Sequence, residues 1–117
     1  MSRFSNSEGR GFHLTFDNGW TISVQFSGGH YCDNKNESYD WARNRAMDSM
    51  PVHSSNAEIA VWSNSGPHSR GLIYLENDNV RGWTTTDEVA QVIHKLKTAK
   101  STLTNKQMSK RLKVIWK

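Results

Sequence analysis

The chain has 117 residues, the size of one domain, and only 35% of them are hydrophobic, so it holds one modest core that is thin or shared with another copy. Five Trp, three Tyr and four Phe argue against a disordered chain, which is poor in aromatics. The net charge of +4 conceals an acidic body, net −4 over residues 1–88, and a basic end, net +8 over residues 89–117 with no acid.

No apolar run approaches the roughly 18 residues that a membrane-spanning helix needs. Met1 to Ser7 lacks the apolar stretch of a secretory signal. The single cysteine, Cys32, allows neither an internal disulfide nor a zinc site framed by paired cysteines, and fits a reducing compartment.

Residues 1–11 are rich in Ser, Asn, Gly and Arg and are expected to form a flexible N-terminus. Phe12, Leu14 and Phe16 then alternate with polar residues, Asp17-Asn18-Gly19 supplies a turn, and Trp20, Ile22, Val24 and Phe26 alternate with Thr21, Ser23 and Gln25. This pattern predicts a β-hairpin over 12–26 with one apolar and one polar face. His30 to Pro51 is long and polar, with a weak helical stripe around Glu37–Met47. Long irregular segments of this kind are often binding elements. Further strands are expected at 57–62, 71–75 and 80–83, separated by Asn64-Ser65-Gly66-Pro67 and Glu76-Asn77-Asp78-Asn79.

Thr85-Thr86-Asp87-Glu88 matches a capping box, and Val89, Val92, Ile93 and Leu96 follow at helical spacing. An amphipathic helix is therefore expected over about 86–98, with its apolar stripe on the sheet. The basic segment 100–117 stays open between a strand through Leu112, Val114 and Trp116 and a second helix through Leu103, Met108 and Leu112. The sum is an α+β domain over 12–99, a small antiparallel β-sheet with a helix on one face.

Catalytic patterns are weak. His30-Tyr31-Cys32 places a base near a thiol, but adjacency alone makes no dyad. His30, Cys32 and Asp33 with His53 or His68 match no compact metal-ligand spacing. Ser27-Gly28-Gly29-His30 lacks the Lys-Ser/Thr of a P-loop. Asp87 and Glu88 occupy the helix start where an anion would sit. Asp33, Glu37 and Asp40 read as solvated acids. A binding protein is expected rather than an enzyme, with no cofactor and no metal.

The aromatics carry more information. Trp20 shares the parity of Ile22 and Val24 and belongs in the core. Trp62 falls opposite Ile59 and Val61. Tyr31, Trp41 and Trp83 lie in or beside loops, where they either pack a small satellite core or stack on a base, an interaction of roughly 1–3 kcal/mol. Arg43, Arg45 and Arg81 lie near Trp41 and Trp83, and a guanidinium both stacks and binds phosphate. The candidate ligand-binding set is Tyr31, Trp62, Trp83, Arg43, Arg45 and Arg81, with Thr21 and Ser23 on the polar strand face.

The run Asn18-Gly19-Trp20-Thr21-Ile22-Ser23-Val24-Gln25-Phe26, then His30-Tyr31-Cys32-Asp33-Asn34, Ala57-Glu58-Ile59-Ala60-Val61-Trp62 and Val80-Arg81-Gly82-Trp83, resembles a widespread family of small tailed-phage proteins. The likeness covers residues 12–96. That family is similar to the phage anti-CBASS sponges, small oligomers that sequester cyclic oligonucleotide immune signals without cleaving them. The resemblance implies a homo-oligomer in the cytoplasm of an infected bacterial host, with a cyclic oligonucleotide as ligand and no membrane partner. Two alternatives stay open: nucleic-acid binding through the basic C-terminal segment, which would be salt-sensitive, and inhibition of a host protein through exposed Trp residues.

Overall fold

The computed structural model of the chain describes residues 2–6, 11–27, 30–33, 39–40, 45–46, 53–64 and 71–117. Its centre is a five-stranded antiparallel sheet built from β1 (Arg3–Asn6), β2 (Gly11–Thr15), β3 (Trp20–Gln25), β6 (Asn56–Ser63) and β7 (Arg81–Thr85), in that spatial order. A separate two-stranded ladder joins β4 (Tyr39–Asp40) to β5 (Arg45–Ala46). Helices α1 (Thr86–Lys97) and α2 (Asn105–Lys113) follow, and a 3-10 turn over Val114–Trp116 ends the chain. The α+β class is therefore as expected.

The β2–β3 hairpin forms where alternation and turn residues place it. Phe16 and Trp20 close the loop by a backbone bond, Gly19 N–H donates to the Phe16 carbonyl, and Gly19 takes φ +88. A three-residue loop of this kind needs a left-handed residue at its end, which glycine adopts without steric cost. Phe12 faces Val24 and Leu14 faces Ile22, while Ile59 and Val61 of β6 face Val24 and Ile22. One side of the sheet is thus continuously apolar. Val92 and Leu96 of α1 and Met108 and Leu112 of α2 close over it.

The loop also holds the helix. Asn18 Nδ2 donates to the carbonyls of Leu96 and Ala99 at 2.7 and 2.9 Å, and Trp20 Nε1 donates to the Lys100 carbonyl at 3.3 Å. Carbonyls at a helix end lack intrahelical partners, so these bonds fix the C-terminus of α1 on the hairpin.

Three expectations are corrected, and one open alternative is resolved. Residues 3–6, placed in a flexible N-terminus, form β1, where Phe4 faces Leu14. Residues 71–75 alternate correctly, with Ile73 and Leu75 buried and Leu72 and Tyr74 exposed, but they are not a strand. Ile73 N–H bonds the Val61 carbonyl, and Leu75 N–H already turns to Asp78. The weak helix around Glu37–Met47 is replaced at its described residues by the β4–β5 ladder; the rest of that span lies outside the described residues. The segment from 105 to 113 is helical, which settles the alternative between helix and strand.

Both helices start with capping boxes. Thr85 Oγ1 accepts from Glu88 N–H while Glu88 Oε1 accepts from Thr85 N–H. Thr104 and Gln107 repeat the arrangement. Replacing Thr104 with alanine is expected to lower unfolding stability by about 1 kcal/mol, as loss of an N-cap does; a urea titration of the Trp fluorescence measures it.

Candidate functional site

The site begins with a β-bulge. Ala57 faces Thr84 and Ile59 faces Arg81 across the β6–β7 ladder, with a register shift between them. Three residue steps on β7 are matched by two on β6, and the extra residue falls at Gly82-Trp83. A bulge frees a residue from the ladder and re-aims its side chain. Trp83 takes φ +49, a left-handed conformation that bulky residues avoid, at a cost of about 1–3 kcal/mol. Its N–H donates to the Tyr31 carbonyl at 2.9 Å.

Gly82 is matched to this approach. A Cβ at Gly82 would lie 2.6 Å from Tyr31 Cβ and 2.9 Å from the Tyr31 carbonyl oxygen, so no larger residue fits without moving Tyr31. Tyr31 N–H donates to Glu58 Oε2 at 3.1 Å, and Asp33 N–H donates to Asn56 Oδ1 at 2.8 Å. The segment carrying Tyr31 is therefore tied to the start of β6 as well as to β7. The outcome is a stacked pair. The Tyr31 and Trp83 rings lie 5.9 Å apart at 28°, and the residues are 46% and 52% exposed.

The other candidates lie elsewhere. Arg81 points away from this pair into a structural cluster. Its Nε pairs with Glu76 Oε1 at 3.1 Å, its Nη1 lies 3.5 Å from Glu88 Oε1, and its guanidinium carbon sits 4.5 Å above the Trp116 ring. It joins β7 to α1 and to the chain's C-terminal turn, with its Nε and Nη1 engaged there. Thr21 and Ser23 are buried rather than on an open face. Thr21 Oγ1 bonds Thr15 Oγ1 and accepts from Asn64 Nδ2, while Ser23 Oγ accepts from Gln25 Nε2. These bonds satisfy hydroxyls that would otherwise be costly to bury. Trp62 is half-buried, edge-on to His13 at 5.2 Å, with its Nε1 donating to Asn64 Oδ1 at 3.2 Å. Arg43 and the Arg45 side chain lie outside the described residues. The structure thus unites Tyr31 and Trp83 and separates them from Trp62, Arg81, Thr21 and Ser23.

Cys32 is buried, and its thiol lies 3.6 Å from the Ser27 carbonyl as a donor. Ser27 Oγ in turn bonds His30 Nδ1. Among the described residues no three of His, Cys, Asp and Glu come together as a metal site, and no helix is long and apolar enough to cross a membrane. An apolar cavity of about 300 Å³, lined chiefly by Phe12, Val24, Phe26, Ala57 and Val89, lies between the sheet and the start of α1.

Sequence reasoning found both aromatic residues but missed Gly82 and Glu58, which position them. A signal was present at Gly82, since a glycine inside a strand pattern marks a bulge or a close backbone approach. No protein-family model matches this chain, and neither a curated protein nor a solved structure shows significant similarity to it.

Proposed function

We propose that this is a phage anti-defence protein that holds a cyclic oligonucleotide immune signal without cleaving it, with the Tyr31–Trp83 pair stacking on one of its bases. The observation that supports this reading most is the half-exposed ring pair kept in place by a positive-φ tryptophan. Strained backbone of this kind concentrates at ligand clamps and other functional sites. A pre-set aromatic face also binds without the cost of ordering mobile side chains, and it accepts any base because every base has a π-face. The ligand class, the phage origin and the host cytoplasm rest on the sequence resemblance. Arg43 and Arg45 are the proposed phosphate donors; Arg81 is left out because its guanidinium is held by Glu76, Glu88 and the Trp116 ring, and Thr21 and Ser23 because they are buried.

Association with further copies of the chain belongs to the same proposal. Strand β1 lies at one edge of the sheet, and Phe4 on it is 86% exposed. An edge strand with an exposed aromatic is a natural contact for a second copy.

Calorimetric titration with each of a panel of cyclic di- and trinucleotides tests the assignment. Trp83→Ala and Tyr31→Ala are expected to weaken the best ligand by roughly 5- to 150-fold each, the loss of one stacking contact, while Trp83→Phe keeps most of the affinity. Unchanged affinity in both alanine variants would refute the assignment.

A further inference from the structure

We propose that the outer face of α2 is a docking surface for the phosphodiester backbone of a nucleic acid, separate from the Tyr31–Trp83 pair. Residues 89–117 contain eight Lys or Arg and no acid, and the fold sorts them. Met108 and Leu112 are fully buried on the inner side of α2, while Lys106, Lys110 and Lys113 are exposed. Their spacing of four and three residues puts the three ammonium groups on one stripe, opposite the buried pair. The stripe spans about 10 Å of helix axis, and Lys117 follows beyond the 3-10 turn.

The neighbouring basic residue has a different task. Arg111 donates from Nε to the Lys95 carbonyl at 3.2 Å and from Nη2 to Thr98 Oγ1 at 3.1 Å, so it ties α2 to the end of α1. Among the described residues the ion pairs are those of Arg81 with Glu76 and Glu88; none involves a lysine of the stripe. Four charges within about one or two Debye lengths act jointly on a polyanion. The apolar side of α2 is spent in the core, so the helix has no apolar face to insert into a bilayer. No aromatic lies between Lys106 and Lys113, and Trp116 before Lys117 is half-buried with Arg81 over its ring, so these lysines favour phosphate contact without base readout.

Fluorescence anisotropy with a labelled mixed-sequence DNA duplex of about 20 base pairs, from 25 to 200 mM KCl, tests this. The full-length protein is expected to bind with a log–log salt slope of about −3.6 for four phosphate contacts. The triple variant Lys106→Gln/Lys110→Gln/Lys113→Gln should flatten the slope by about 2.7, keep the wild-type melting temperature, and retain any ligand held by Tyr31 and Trp83. Single-stranded DNA of the same sequence should bind with a shallower slope. No duplex binding at 25 mM salt, an unaltered slope in the folded triple variant, or capture by anionic lipid vesicles in place of DNA would overturn the proposal.

Discussion

Replacing Trp20 with alanine is expected to lower unfolding stability by about 3–5 kcal/mol. Trp20 is fully buried in the same hydrophobic cluster as Ile22, Val61, Leu96 of α1 and Met108 of α2. Its removal would leave a large void and would also delete the indole bond to the Lys100 carbonyl. A domain of this size has a total stability of roughly 5–15 kcal/mol, so about a fifth or more of it would be lost. Thermal denaturation followed by far-UV circular dichroism should show a melting temperature lower by roughly 10–20 °C. A shift of only a few degrees would mean that the core is not organised around this indole. Trp20→Phe should recover most of the packing and none of the bond, since a phenyl ring has no N–H to donate.

The second large effect is expected at Arg81. Its guanidinium holds Glu76, Glu88, Thr84 and the Trp116 ring together, and its side chain is only 19% exposed. Glu88 serves two partners, since the carboxylate that faces Arg81 also completes the α1 capping box. Arg81→Ala would leave two carboxylates without their cation and uncover Trp116. Hydrogen bonds to charged groups contribute about 1.5–3 kcal/mol each, but Glu76 is more than a third exposed and its share is screened. The expected net loss is about 2–3 kcal/mol, read from urea midpoints together with a changed near-UV signal from Trp116. Arg81→Lys should recover little, because an ammonium cannot address two carboxylates and a ring at once. A loss below about 0.5 kcal/mol in Arg81→Ala would show the cluster to be incidental.

What the sequence revealed and what it concealed divide along one physical line. The Asp17-Asn18-Gly19 hairpin and the Thr85/Glu88 capping box depend on residues a few positions apart, so local chemistry specifies them. Thr104 and Gln107 carry the same signature as Thr85 and Glu88, but the alternation of Leu112, Val114 and Trp116 competes with it. The pairing of Phe4 with Leu14 is hidden by the polar residues around Phe4. Residues 71–75 show that alternation reports which side chains face the core and not whether a ladder forms. At the site, residue types were legible and neighbours were not. Closeness in sequence pairs Arg81 with Trp83, whereas the bulge turns Trp83 towards Tyr31 and Arg81 lies over Trp116. Thr21 and Ser23 alternate as a polar face should, yet tertiary contacts bury them.

The most direct test of the central claim is ligand retention. Purified protein is incubated with a mixed panel of cyclic di- and trinucleotides, washed, denatured, and the released small molecules are identified by mass spectrometry. The account predicts near-stoichiometric recovery of an intact cyclic oligonucleotide from the wild-type protein and its loss from a folded Tyr31→Ala/Trp83→Ala variant. No retained nucleotide, a cleaved product, or equal recovery from that variant would contradict it.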